Sequence, residues 1–503
     1  RGGRAPQAAS GSRRGGGGAR GAGTPRLARA RRGHRATSSP PPRSCTRAWP
    51  ARMCQQHAAA AVVGRGGLAE AVPATASADA CPGKQAPAAQ PLLAPVFAPP
   101  SERFDLALQR SDYRAQVEAR IRDAKKEIKT DIAPDRAWAQ MGLADEPCLT
   151  AARAPARAHP QVPVLDGRRL DAGEFAARFE RRRTPCVLTH LADDWAAYRD
   201  GEWSLERLRA RYAEARLKVG EDDEGYPVRL KFKYFCYYLF DRAHQRDDAP
   251  MYLFDSTFSE DGKSTAALLD DFRVPHLFSE DLFQHVGEGR RPPYRWLVIG
   301  GPRAGTWAHV DPLATAAWNT VISGSKRWCL LPPDTPKALV DPSGEGDEAA
   351  VWFSKILPRL RRAADEGEIA PPVELVQHAG ETIFVPDGWW HAVINLEPTV
   401  AVTQNFCSSE NFVRCWRASL HSRPKMAGKW LLRLRGVRPE LAAVAEEEAK
   451  TVVPKKRKSG KTSGGKDEKR KRSHKHDPDH DRERSDGGGG GRARKRAEGG
   501  TAV

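Results

Sequence analysis

His309 and Asp311 stand two residues apart in GTWAHVDPLATAAWNTVISGSKRW, residues 305–328, a segment otherwise suited to a buried β-strand. An uncompensated charge in an apolar interior is costly, so the two polar side chains call for a shared partner. On a strand, residues i and i+2 point to the same face, and both can reach one metal ion. A third donor arrives later, in GETIFVPDGWWHAVIN, residues 380–395, where Pro386-x-Gly388 makes a turn and His391 opens the next strand. Two histidines and one carboxylate leave positions open on octahedral iron, where a bidentate keto acid and oxygen can bind. Zinc with a bound water accepts the same set, so ligand type alone leaves the metal open.

Lys326 bears on the cosubstrate. It follows Gly324-Ser325 and lies close to Trp328, and a lysine turned into the interior needs an anion to offset its desolvation. The distal carboxylate of 2-oxoglutarate is such an anion. Thr403 shares a strand face with Ala401 and Asn405, and Asn319 and Tyr252 offer further polar contacts. Each residue also has a plainer reading, with Lys326 at the surface of a hairpin and Thr403 an ordinary strand threonine.

The elements that must position these groups read as short strands: VRLKFKYFCYYLF, PMYLFDS, YRWLVIGG, WNTVISGSKRWCLLPP, ETIFVP, WHAVINL and TVAVTQNF. Gly-Ser between VIS and KRWCLL suits a tight hairpin. Many short strands of period-two patterning predict a β-sandwich or barrel with helices outside. SDYRAQVEARIRDAKKEIKTD, residues 111–131, predicts a solvent-facing helix, and SLERL predicts a helix start at Ser204. From 409 to 448 three helices are expected, one ended by Gly436 and the next begun near Pro439. Trp416, Trp430, Leu431 and Leu432 there form either a dimer surface or a cover for one end of the barrel.

Charge divides the chain. Residues 1–69 hold fourteen arginines and no acid, and residues 450–503 hold eighteen Lys or Arg against eight Asp or Glu. Those ends carry +14 and +10 of a total of +19, which leaves about −5 on residues 70–449. A mildly acidic body with two polycationic arms fits arms that touch phosphate or an acidic partner; solubilising, disordered ends are the alternative. Nine scattered cysteines without a C-x-x-C pair read as reduced thiols, and no apolar run is long enough to span a bilayer, which reads as a soluble protein. PKKRK at 454–458 and KRKR at 469–472 predict nuclear import. The acid-free N-terminus offers an organelle transit peptide as the alternative. The chain opens on Arg1 and not Met, which reads as a fragment or a translated upstream region with Met53 as a candidate start.

The spacing G-x5-P-x-G-x2-H-x3-N resembles the second signature of the cupin superfamily, with the H-x-D segment in the place of the first. GEDDEGYPVRLKFKY, YLFDS, LLDDFRVPHLFSEDLFQ, RRPPYRWLVIGGPRAGT, HVDPLATAAWN, SKRWCLLP, ETIFVPDGWWH and TQNF are similar to the JmjC oxygenases. The resemblance runs from about 160 to 445 and reaches most closely to the arginine demethylase and lysyl hydroxylase branch. It implies a double-stranded β-helix jelly roll, mainly β with flanking helices, ending in a C-terminal helical segment. It implies Fe(II) at His309, Asp311 and His391, and 2-oxoglutarate held by Lys326 and Thr403 with Asn319, Thr306 and Tyr252 nearby. With O2, 2-oxoglutarate is decarboxylated to succinate and CO2 while a substrate C–H bond is hydroxylated. Hydroxylysine results on a lysine, and loss of formaldehyde results on an N-methyl-arginine.

The expected organisation is a disordered basic extension and linker over 1–105 and a helical lead-in over 106–160. A JmjC domain follows over 161–408, then C-terminal helices over 409–450 and a disordered basic tail over 451–503. The implied partners are basic proteins, namely histone tails and Arg/Ser-rich splicing regulators, with RNA on the basic arms, no membrane, and a homodimer through the C-terminal helices. Vertebrate members carry a serine-rich acidic tail, so the resemblance does not extend to the basic one here. A second reading, of another class, is a catalytically silent JmjC scaffold that binds RNA or chromatin through its arms. The complete ligand set and the lysine favour the enzyme.

Overall fold

The structure, a computed structural model, describes residues 110–129, 137–150, 155, 160–241 and 244–452. The basic extension, the import-like clusters, Met53 and Cys45, Cys54 and Cys81 lie outside the described residues. The described residues from 110 to 449 belong to one compact unit, and the described residues 450–452 to a second.

Thirteen described strands are β1 Val164–Asp166, β2 Cys186–Thr189, β3 Arg216–Glu221, β4 Pro227–Lys231, β5 Tyr252–Asp255, β6 Arg295–Gly300, β7 Gly305–His309, β8 Ala316–Ser323, β9 Ser325–Leu331, β10 Val373–His378, β11 Thr382–Val385, β12 Trp390–Asn395 and β13 Thr399–Phe406. The longer helices are α1 Ser111–Ile128, α2 Leu205–Tyr212, α3 Phe232–Phe240, α4 Leu357–Asp365, α5 Phe412–Ser422, α6 Pro424–Val437 and α7 Pro439–Val452. One sheet has the order β1-β2-β11-β8-β13-β6-β5 and the other β10-β9-β12-β7, with β3-β4 as a separate ribbon. Val187, Ala317, Ile383 and Val385 of the larger sheet pack against Trp328, Leu330, Val373, Leu375 and Val393 of the smaller. Two sheets, antiparallel except for the parallel β1–β2 pair, share one inner core and form the jelly roll expected from the resemblance.

The turn at Gly324-Ser325 does not close a hairpin. β8 pairs with β11 and β13, whereas β9 pairs with β10 and β12, so the turn carries the chain from one sheet to the other. A two-residue turn signal specifies a sharp reversal but not whether the strands it joins pair with each other. Gly324 has φ +83, and a Cβ there would meet the Pro398 carbonyl oxygen at 2.3 Å. Gly324→Ala should therefore cost about 2–4 kcal/mol, from left-handed strain plus a backbone clash. Chemical denaturation reads this directly; an unchanged midpoint refutes it.

FKYFCYYLF is helix α3 and not a continuation of β4. Phe232, Phe235, Cys236, Tyr237, Tyr238 and Leu239 are all buried, and a helix apolar nearly all round shows no 3.6-residue period to read. Helix α1 is only partly solvent-facing, since Val117, Ile121, Ala124 and Lys125 are buried. The Lys125 ammonium donates to Asp247 at 2.9 Å, and Asp247 also accepts from the Tyr238 hydroxyl at 2.7 Å. Burial pulls the Lys125 pKa down and Asp247 opposes that shift. Helix α2 starts as expected, with Ser204 accepting from the Arg207 amide at 3.3 Å.

The insertion between β9 and β10 packs outside the smaller sheet. Val340, Trp352, Phe353, Ile356, Leu357 and Leu360 meet Trp307, Cys329, Leu331, Ala392 and Ile394 there. Helices α5 to α7 close one end of the sandwich. Trp416 and Trp430 are 1% and 0% exposed and donate to the carbonyls of Ala445 and Leu282, so they cover the barrel end and present no face. Leu432 remains 64% exposed. Gly436 lies inside α6, which ends at Val437, with Pro439 opening α7. The six described cysteines are free thiols. No helix among the described residues is long and apolar enough to cross a membrane.

Candidate metal centre and cosubstrate pocket

His309 ends β7 and is the ladder partner of His391 in β12, with ring centroids 4.2 Å apart. Asp311 is not on the strand. Pro312 lacks the N–H a ladder requires, and β7 stops at His309, so Asp311 precedes a short 3-10 turn, Pro312–Ala314. The turn, and not strand periodicity, brings the carboxylate round. Leu313 and Ala314 both take left-handed backbone, at φ 57 and 53, a conformation that costs each residue about 1–2 kcal/mol.

The three side chains offer ligand atoms that all lie within 4.8 Å of one another. His391 Nε2 and Asp311 Oδ1 are 4.0 Å apart, too far for a hydrogen bond and wide enough for an ion between them. His309 Nδ1 faces the Trp307 carbonyl at 2.8 Å, and His391 Nδ1 faces the Trp389 carbonyl at 3.2 Å. If each Nδ1 carries the proton donated to its carbonyl, Nε2 keeps the lone pair that a metal needs. Burial first, and the neighbouring His309 second, push the His391 pKa down to about 4, so this imidazole is neutral at physiological pH.

Lys326 points into the sandwich and is 1% exposed. Its ammonium donates to the Tyr252 hydroxyl at 2.9 Å and to Asn395 Oδ1 at 3.0 Å, and among the described residues it has no carboxylate partner. Burial pulls its pKa down to about 7 and pushes the Tyr252 phenol up. Thr403 and Asn319 are partners across β13 and β8. The Thr403 hydroxyl donates to the Trp318 carbonyl at 2.9 Å, whereas Asn319 Oδ1 is buried with no hydrogen-bond partner. Thr306 is half-buried on β7, opposite Val393 of β12.

Two supports were not foreseen as such. Asn395, fully buried, fixes Lys326 and donates to the Gly300 carbonyl; it is the terminal Asn of the second signature, which was the available signal. Gln377 accepts from the Trp328 indole at 2.8 Å and donates to the carbonyls of Asn319 and Glu381, locking the indole whose ring lies 6.1 Å from that of His391. A glutamine in a strand gives no sequence signal for this role.

The donor set fits a ferrous ion with 2-oxoglutarate: three N and O ligands converge, and a buried ammonium lacks an anion. A jelly roll carrying a two-histidine, one-carboxylate cluster defines the class of cupin-like oxygenases. A Cupin-like domain matches residues 172–412. The bifunctional arginine demethylase and lysyl-hydroxylase psr-1 of Caenorhabditis briggsae is 44% identical over 288 residues, 56% of this chain and 71% of the relative. Its Caenorhabditis elegans namesake is 44% identical over 288 residues, 56% of this chain and 70% of that protein. The arginine-specific demethylase JMJ22 of Arabidopsis thaliana is 38% identical over 253 residues, 49% of this chain and 46% of that protein. The chain belongs to the JmjC oxygenase family that contains these bifunctional arginine demethylases and lysyl-hydroxylases.

Proposed function

We propose that this chain is an Fe(II)- and 2-oxoglutarate-dependent protein oxygenase that hydroxylates peptidyl lysine, demethylates methyl-arginine, or does both. The observation that carries the reading is the convergence of His309, Asp311 and His391 beside a buried lysine that lacks a counter-ion. Iron with 2-oxoglutarate and O2 supplies C–H hydroxylation, which yields hydroxylysine on one substrate and releases formaldehyde from the other. The protein's share is positional. The triad residues would hold the metal, Lys326 would pair with the distal carboxylate, and Asn319, Thr403, Thr306 and Tyr252 would line the rest of the pocket.

Cationic substrates suit the surroundings. Tyr252, Phe254 and Trp296 stand in a half-buried row along β5 and β6, with centroids 5.9 and 5.5 Å apart. Such faces attract guanidinium and ammonium groups by about 0.5–2 kcal/mol. Histone tails and Arg/Ser-rich splicing regulators as substrates are supported by the net charge of about −5 on residues 70–449, and nuclear residence by PKKRK at 454–458. RNA contact by the basic arms and self-association through the α5–α7 region, where Leu432 is exposed, complete the reading.

The test is to incubate the full chain with iron, 2-oxoglutarate and ascorbate, together with Arg/Ser-rich peptides or methyl-arginine histone peptides. Succinate is then measured, and the peptides are analysed by mass spectrometry. One added oxygen on lysine identifies hydroxylation, and loss of a methyl identifies demethylation. Succinate formation no greater than that of His309→Ala with any of these peptides overturns the proposal.

A further inference from the structure

We infer that Leu313 is a positioning residue of the metal centre: seated among the C-terminal helices, it holds the left-handed turn that aims Asp311 at the two histidines. The inference rests on the triad being a metal site. His309 and His391 are fixed by strand pairing, but Asp311 lies past the end of β7 and gains nothing from the ladder. Its direction is set by the turn that follows, in which two successive non-glycine residues hold left-handed backbone. Backbone of that kind persists only where its surroundings over-determine it.

The surroundings are explicit. Leu313 is 7% exposed and belongs to the core cluster built from Phe412, Cys415, Trp416, Trp430 and Leu434 of α5 and α6. The Cys415 thiol of α5 donates to the Ala314 carbonyl at 3.0 Å. At the far side of the turn, Thr315 donates to the Pro312 carbonyl at 2.8 Å and accepts from the Asn405 amide at 3.1 Å. Leu313 is the apolar anchor of this turn, and the helical layer thereby reaches the one ligand that the sheets do not hold.

The experiment uses Mn(II) as the probe, titrated into the full chain by calorimetry and followed by its paramagnetic resonance signal. Leu313→Ala should weaken Mn(II) binding about tenfold or more, the loss typical when a ligand's support is removed, while the volume-conserving Leu313→Met retains it. Leu208→Ala, in a different buried cluster, should lower the melting temperature without moving the affinity. Wild-type affinity in Leu313→Ala, or in Leu313→Val should the alanine variant not fold, overturns the inference. So does an equal loss of affinity in Leu208→Ala. A wild-type chain whose Mn(II) binding is insensitive to His309→Ala refutes instead the metal site on which the inference rests.

Discussion

Replacing His391 by alanine is expected to leave a folded protein that binds iron at least about a hundredfold more weakly and forms no succinate above background. Loss of a direct ligand should exceed the tenfold to hundredfold that outer supports typically command, hence about a hundredfold as a floor. Only three convergent donors stand in the pocket among the described residues, so none is spare. Fold should survive, because the β12 ladder uses backbone groups that the substitution leaves intact. Circular dichroism with metal titration checks both halves. Retention of wild-type metal affinity would remove His391 from the ligand set.

Lys326→Met should act in opposite directions on stability and on affinity. Without cosubstrate the wild-type ammonium is buried beside neutral partners only, so an apolar side chain of similar length should raise the melting temperature. The same change removes the charge that would meet the distal carboxylate. A loss of about 3 kcal/mol, or roughly a hundredfold in 2-oxoglutarate affinity, is the expected scale. The pH dependence has a definite sign. Lys326 is held at about 7 against 10.5 for a free lysine, so between those values the unfolded chain carries a proton that the folded one lacks. Stability of the cosubstrate-free protein should therefore rise with pH across that window, and Lys326→Met should flatten this contribution. Binding the dicarboxylate in that window should take up close to one proton, which calorimetry in buffers of different ionisation enthalpy detects. Lower stability in Lys326→Met, or no change in 2-oxoglutarate affinity, contradicts this account.

Much of the pocket was legible because polar residues in apolar strands have few structural explanations. His309, Asp311, His391 and Lys326 each break a buried pattern, and the second signature located Asn395 even though its contact with Lys326 was not foreseen. What failed was geometry that sequence spacing does not encode. H-x-D reads as two positions on one strand face, but Pro312 ends the strand first. Gly324-Ser325 reads as a hairpin, but the reversal crosses between sheets. FKYFCYYLF reads as strand because burial on nearly all sides erases helical periodicity. Trp416 and Trp430 read equally as a surface or a lid, and only packing decided between them.

The position of β7 at the margin of its sheet bears on when during synthesis the site comes into being. In that sheet β7 pairs with β12 alone, and β12 leaves the ribosome only after β8 to β11 and the helical insertion of residues 332–372. Until then His309 ends a strand without a neighbour, Asp311 lies just past that end, and the third donor does not yet exist. A truncated or stalled nascent chain ending before β12 therefore lacks His391, so a metal held by these three residues would be captured only late in synthesis.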